Sequence, residues 1–228
     1  MKATAIIPAR GGSKRIPRKN IRLFKGKPMI TWAIEAAINS RLFQSVIVST
    51  DDSEIAEVAM KSGAQVPFVR PTSLSNDHAT TLEVMTHAVN WLQENRQPSE
   101  FICCIYATAP FLNPKDLESG LLALKERSVD FAYSVTEFDY PPHRALAQKP
   151  NGLVSLENPE FSVTRSQDLP RVLHDAGQFY WASANTWLAK KDILSSVGFG
   201  IELPRSQAQD IDSEEDWKIA EALFTAHS

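Results

Sequence analysis

Short runs of β-branched and apolar residues alternate with longer segments of helical periodicity through the first 137 residues, and that alternation leaves few folds open. Parallel strands need long crossovers, so repeated strand-then-helix units point to a mostly parallel sheet with helices on both faces. Ala3–Pro8 reads as the first strand, residues 28–40 as a helix with Pro28 at its first position, and Ser45–Ser49 as a second strand. Asp51 with Glu54 resembles a capping box ahead of a helix that Gly63 stops, and residues 65–69 read as a third strand. Thr80 with Glu83 caps a helix toward Asn95 that carries Leu82, Met85, Val89 and Leu92 on one face. Residues 101–106 form a buried strand, Asn113-Pro114 starts a helix to about Arg127, and residues 131–135 form the fifth strand.

From 139 to 170 this rhythm is lost among prolines and polar residues, which predicts an excursion from the core, either a lid or a dimerisation arm. Regular pattern returns at 179–188, with a short helix at 192–196, a strand at 201–203 and a last helix at 213–224. At 228 residues the chain is read as one domain, 1–228, with that arm inserted in it. Hydrophobic residues make up 43% and charged residues 22%, which excludes disorder; a net charge of −3 gives no support to binding nucleic acid or an anionic membrane. Cys103 and Cys104 are neighbours on a strand and face opposite ways, which excludes a disulfide framework and a four-ligand zinc site. No apolar run is long enough to span a bilayer, and the first is broken too soon by Arg10 to be a secretory signal. The expectation is a reduced, soluble, cytoplasmic protein.

The loop after the first strand carries the chemistry. Arg10, Lys14, Arg15, Arg18, Lys19, Arg22, Lys25 and Lys27 are eight basic residues without one acid between them. A charge run alone is usually a solvated face. Here Gly11 and Gly12 let backbone N–H groups come close to an anion, and the loop lies where open α/β sheets bind ligands, so polyphosphate is the natural guest. Neither the P-loop spacing nor the dinucleotide fingerprint Gly-x-Gly-x-x-Gly is present.

The segment Ile7-Pro-Ala-Arg-Gly-Gly-Ser-Lys-Arg-Ile-Pro-Arg-Lys-Asn20 resembles the nucleotidyltransferase loop of the acid-sugar cytidylyltransferases, the CMP-sugar synthetases. Ile47-Val-Ser-Thr-Asp51, Arg70-Pro-x-x-Leu-Ser-x-Asp77, Ala107-Thr-Ala-Pro110, Arg165-Ser-Gln-Asp-Leu-Pro170 and Asp210-Ile-Asp212 continue the likeness in the family's order. It implies a three-layer αβα Rossmann-like nucleotidyltransferase fold with a protruding dimerisation arm, acting as a homodimer on CTP and a 3-deoxy-2-keto acid sugar. His174-Asp-Ala-Gly-Gln-Phe-Tyr-Trp181 resembles the pseudaminic acid enzymes of that family more than the sialic acid enzymes.

Carried over by resemblance, Ala9, Arg10, Gly11, Gly12, Ser13, Lys19 and Asn20 hold the triphosphate, with Arg10 and Lys19 catalytic. Arg70, Asp77, Ala79 and Thr81 fall where the family recognises cytosine and ribose, although Arg70 also reads as a surface arginine after a strand. Tyr106, Thr108, Arg165, His174, Gln178 and Tyr180 are the expected acid-sugar contacts, and Tyr106 stands where sialic acid enzymes usually have glutamine.

Asp210 and Asp212 lie two apart, so in extended chain both carboxylates face one side and suit Mg²⁺, for which Mn²⁺ can substitute. Asp212 with Glu215 also reads as a helix start. The five histidines show no ligand spacing, and the aromatics from Trp181 to Trp187 read as core. Two rivals stay open: a cytidylyltransferase for N-acetylneuraminic, legionaminic or 3-deoxy-octulosonic acid, and a non-catalytic nucleotide-binding protein.

Overall fold

The computed structural model describes residues 2–227. Strand β1 (Ala3–Pro8) leads into the basic loop, a two-residue hairpin β2 (Leu23–Phe24) and β3 (Lys27–Pro28), and helix α1 (Met29–Ser40). There follow β4 (Ser45–Ser49), α2 (Ser53–Lys61), α3 (Thr81–Glu94), β5 (Phe101–Ile105), α4 (Pro114–Glu126) and β6 (Phe131–Glu137). The excursion holds β7 (Leu146–Gln148) and β8 (Val154–Leu156); β9 (Leu173–Ser183), α5 (Ala184–Leu188), β10 (Gly198–Glu202) and α6 (Glu214–His227) complete the chain.

Six strands form one sheet in the order β10-β6-β9-β5-β1-β4. β1 pairs in parallel with β4 and β5, and β10 in parallel with β6, while β9 runs antiparallel between β5 and β6. Alternating residues divide the core between the two faces. On one side Ala5, Ile7, Cys103, Phe179 and Trp181 pack beneath α1, α2 and α4; on the other, Ile6, Cys104, Tyr180 and Ala182 meet α3 and α5. This is the expected three-layer αβα arrangement. A third cluster joins Ile16, Phe24, Met29 and Trp217, tying α6 to the basic loop and its hairpin.

Several expectations are corrected. Residues 65–69 touch β4 only through isolated bridges at Gln65 and Val69, because Pro67 has no N–H to extend a ladder. The cap of α2 is Asp52, whose carboxylate accepts from Ile55 N–H, rather than Asp51. Gly63 does stop α2: at φ +95° its N–H donates to the Met60 carbonyl, and Ala64 N–H to that of Ala59, a Schellman ending. Pro28 caps α1 from outside the helix and is not its first residue. Residues 192–196 form a turn, not a helix, because Asp192 Oδ1 accepts from the Leu194 and Ser195 N–H groups. β9 starts six residues earlier than the 179 read from the pattern, and the 139–170 arm contains a short antiparallel hairpin. Both cysteines are buried and free on opposite faces, their thiols pushed up by burial. Among the described residues no helix is long and apolar enough to cross a membrane.

α4 packs onto β9 at a glycine. A Cβ at Gly120 would lie 2.7 Å from Trp181 Cδ1 and 3.0 Å from Phe179 Cε2, both in buried rings. Gly120→Val is expected to lower stability by about 1–3 kcal/mol through overpacking. Gly12→Ala, with nothing within 4 Å of its Cβ position, should leave the melting midpoint in place, a contrast that thermal denaturation measures.

Candidate active site

Three anchors hold the basic loop against the sheet. Ala9 has its methyl in the core and its N–H on the Ser49 carbonyl at 2.9 Å. Ile16 inserts fully into the third cluster, an anchor that a lone apolar residue in a polar loop could have signalled. Buried Asn20 donates from Nδ2 to the Arg10 carbonyl at 3.0 Å and accepts Ile30 N–H on its own carbonyl at 2.8 Å. So fixed, the loop walls a cavity of about 470 Å³ at the carboxyl ends of β1 and β5.

The loop's cations separate into two sets. Arg10, Lys14, Arg15 and Lys19 line the cavity. Arg18 pairs with Asp52 and Glu54 at the start of α2, Arg22 with Glu214 while lying over the Trp217 ring, and Lys27 with Glu35. Lys25 sits at φ 47° in the β2–β3 turn. Of the cavity set, Arg10 and Lys14 meet Asp77 at 2.7 and 2.5 Å, and those two cations hold the Asp77 carboxyl below its ordinary pKa. Arg15 and Lys19 meet Asp212 at 2.7 and 3.1 Å, and Lys19 also donates to the Ile211 carbonyl at 2.6 Å. Cations of the cavity thus converge on two acids from distant segments.

Gly11 makes a close approach, but to protein. Its N–H donates to Asp51 Oδ1 at 3.1 Å, and a Cβ there would lie 2.6 Å from Asp52 Oδ2. Ser13, Ala79, Thr81, Tyr106 and Thr108 also line the cavity.

Arg70 enters from the strand-like segment beside β4 and is only 4% exposed, so it is no surface arginine. Its guanidinium donates to Ser49 Oγ at 3.1 Å and to the Ser49 carbonyl, both neutral, while lining the cavity. Burial pulls its pKa down to about 10, with Asp51 opposing. Because that folded-state value lies below the ordinary one, charging Arg70 opposes folding below about pH 10, and the cost fades as pH rises above it. An anion in the cavity offsets the same cost.

The remaining expected residues lie elsewhere. Tyr180 is buried on β9, its hydroxyl 2.5 Å from Asp175 Oδ2, and its ring centroid is 5.3 Å from that of Tyr106, whose hydroxyl meets Thr81 Oγ1 at 2.9 Å. Burial raises both phenols, which stay neutral. Gln178 is buried, with Nε2 on the Gln207 carbonyl and Oε1 without a partner. His174 rests on Phe138, centroids 4.7 Å apart, outside the cavity lining. Arg165 is exposed on the arm, and no arm residue lines the cavity. Asp210 is exposed and is not among the residues lining the cavity; packing around its carboxyl, and then the Asp212 charge, raise its pKa. Asp212 does not cap α6: Ser213 Oγ accepts from Asp216 N–H, and Asp216 Oδ2 accepts from Ser213 in return.

The cytidylyltransferase family model matches residues 4–210. The chain belongs to the cytidylyltransferase family. It is 43% identical to the pseudaminic acid cytidylyltransferase of Campylobacter jejuni (strain NCTC 11168) over 98% of this chain and 97% of that one. It is 34% identical to N-acylneuraminate cytidylyltransferase A of Danio rerio, over 96% of this chain and 50% of that longer protein. A solved CMP:2-keto-3-deoxy-manno-octonic acid synthetase, complexed with CTP, superposes with TM-score 0.73 over the whole of both chains at 18% identity, a shared fold. This cytidylyltransferase is therefore a nucleotidyltransferase enzyme, and the non-catalytic rival loses its ground.

Arg70→Met keeps side-chain length without charge, and the Ser49 carbonyl keeps the Ala9 N–H. The variant is expected to melt no lower than the parent without nucleotide, while CTP affinity falls at least about tenfold through loss of a charged hydrogen bond. Calorimetry with CTP measures it.

Proposed function

We propose that the protein transfers CMP from CTP to the anomeric hydroxyl of a nine-carbon acid sugar, pseudaminic acid, releasing pyrophosphate. The observation that carries this reading is the cavity in which four loop cations and buried Arg70 face one volume, joined to 43% identity with a pseudaminic acid cytidylyltransferase along nearly the whole chain.

The sugar oxygen attacks the α-phosphorus in line, the bond from that phosphorus to the bridging oxygen breaks, pyrophosphate leaves with that electron pair, and the hydroxyl proton passes to solvent water. Charge builds on the leaving pyrophosphate, where preorganised cations stabilise it most. In this reading Arg10 and Lys19, with Ser13, Asn20 and the backbone at Gly12, hold the triphosphate, while the Ala9 N–H on Ser49 and the Gly11 N–H on Asp51 shape the loop rather than bind it. A triphosphate offers Arg10 and Lys14 the oxygens that Asp77 otherwise presents, and does the same for Arg15 and Lys19 in place of Asp212. Arg70, Ala79 and Thr81 then face cytosine and ribose, and Tyr106, Thr108, His174, Gln178 and Tyr180 belong on the acid-sugar side.

Asp210 and Asp212 fit Mg²⁺ or Mn²⁺. Burial first, and then the neighbouring Asp212 charge, raise the Asp210 pKa, a cost that a bound cation would offset. Among the described residues no group of three acid, histidine or cysteine side chains clusters as a metal site, so phosphate oxygens and water would complete the shell, as Mg²⁺ favours. When bound, the ion would supply charge stabilisation for the phosphates.

The arm supports a homodimer. Tyr140 and Val163 are 86% and 91% exposed, Leu146 and Val154 more than half exposed, and Arg165 stands away from its own chain's cavity. In a dimer the arm covers its apolar residues and brings Arg165 to the partner's cavity as a bidentate carboxylate ligand. Sedimentation is expected to show a dimer, and Val163→Asp to shift it toward monomer with a higher KM for the acid sugar. A fully active monomer refutes the arrangement.

Pyrophosphate release from CTP with purified pseudaminic, legionaminic, N-acetylneuraminic and 3-deoxy-octulosonic acids tests the function. Pseudaminic acid should show the highest kcat/KM, activity should vanish with a chelator and return with Mg²⁺ or Mn²⁺, and Arg10→Ala or Lys19→Ala should lose about 2–4 kcal/mol of transition-state stabilisation. A higher kcat/KM for N-acetylneuraminic acid overturns the choice of sugar.

A further inference from the structure

Arg18 occupies a backbone position that an arginine rarely takes. Lys19 N–H donates to the Ile16 carbonyl at 3.2 Å, closing a four-residue turn with Pro17 second and Arg18 third at φ +56°. That is the type II pattern, whose third position is left-handed and favours glycine or asparagine, because a Cβ is crowded there. Arg41, Arg96 and Lys190 take the same region just after α1, α3 and α5, where helices commonly end so, and Lys25 turns the β2–β3 hairpin. Arg18 ends no helix. A residue is kept in such a conformation only where its surroundings fix it.

Here the side chain does the fixing. The guanidinium holds Asp52 at two points, Nη1 on Oδ2 at 2.5 Å and Nη2 on Oδ1 at 3.0 Å, and Nη2 also reaches Glu54 at 2.5 Å. Asp52 is itself fixed: Oδ1 accepts Ile55 N–H at 2.9 Å as the cap of α2, and its own N–H donates to Thr50 Oγ1 at 3.1 Å. Arg18 holds the Asp52 carboxyl below its ordinary pKa, so the pair stays charged at neutral pH. A two-point ion pair sets direction as well as distance.

This latch lies outside the cavity. Arg18 does not line it, whereas the next residue, Lys19, does. Lys19 stands between two fixed neighbours, Arg18 on Asp52 and buried Asn20 on the Arg10 carbonyl. The same junction between β4 and α2 holds Gly11 through Asp51, beside Arg10.

We propose that Arg18, through its two-point pairing with Asp52, is a positioning residue that aims Lys19 at the charge building on the leaving pyrophosphate. The proposal rests on the nucleotidyltransferase reading above and deepens it. Arg10, Lys14, Arg15 and Arg70 also face the triphosphate, so a slightly displaced Lys19 weakens ground-state binding little. The transition state is less tolerant, since misplacement by about an ångström can cost about 100-fold in rate.

The test measures kcat for pyrophosphate release from CTP and pseudaminic acid, CTP affinity by calorimetry, and the melting midpoint. It compares the parent, Arg18→Gly, Arg18→Lys, Asp52→Asn and the double variant Arg18→Gly/Asp52→Asn. Glycine suits the turn, so Arg18→Gly removes the latch and the strain together and should melt near the parent. Its kcat is expected to fall about 10- to 100-fold with CTP affinity within about threefold. Arg18→Lys keeps the charge without the planar fork and should stay at least about fivefold slower than the parent. Asp52→Asn keeps an oxygen for Ile55 N–H and should also slow turnover, the double variant being no slower than the slower single one. Parental kcat in Arg18→Gly or Arg18→Lys, CTP affinity falling in step with kcat, or multiplied losses in the double variant each overturns the proposal. Should Arg18→Gly melt early, the kcat of Arg18→Lys, read below both midpoints, decides in the same way. A parent that releases no pyrophosphate with any acid sugar overturns the functional reading and this proposal with it, whereas an active parent with indifferent variants overturns the proposal alone.

Discussion

Burial of β1 on both faces is the constraint on which the site depends. The strand lies between β4 and β5, its residues from Ala3 to Ile7 entirely inaccessible to solvent. Its carboxyl end is therefore a rigid point, and the basic loop leaves it already committed in direction. Ala9 continues the bonding toward β4 through the Ser49 carbonyl, and Ile16 and Asn20 hold the rest of the loop. Loops that bind and react need such a frame, because a charged segment with nothing to anchor it spends its energy on ordering itself.

Electrostatics then decides which cations serve the cavity. The eight basic residues are equivalent in composition but not in position. Arg18, Arg22 and Lys27 are drawn to acids at helix termini and on helix surfaces, and they stitch the loop to its surroundings. Arg10, Lys14, Arg15 and Lys19 face Asp77 and Asp212 across the cavity, and Lys25 stays in the β2–β3 turn. Those exposed or half-exposed pairs contribute little to stability, which leaves them exchangeable for phosphate. Arg70 is different in kind, since a buried guanidinium on neutral oxygens is a standing cost that an anionic guest relieves.

The antiparallel β9 joins the two halves of the site. Inserted between β5 and β6, it places Tyr180 opposite Cys104 in register and beside Tyr106, so rings more than seventy positions apart pack against each other. The same strand carries Asp175 past a register shift near Tyr133, where the regular ladder gives way.

The sequence by itself determined the layers. Strand and helix periods, the Thr80–Glu83 and Asn113–Pro114 starts and the Gly63 stop are local properties, decided by backbone sterics and capping within a few residues. It also located the basic loop, and its resemblance to a family named the chemistry. Where local signals competed, the sequence could not choose: Asp51 against Asp52, or Asp212 against Ser213, differ only in which side chain reaches the free N–H groups. Tertiary structure alone decided which cations face the cavity, that Arg70 is buried, and that the Tyr180 hydroxyl meets Asp175 beside the Tyr106 ring. The reason is physical: ion pairing and burial depend on distances between segments far apart in the chain, and no local period encodes them.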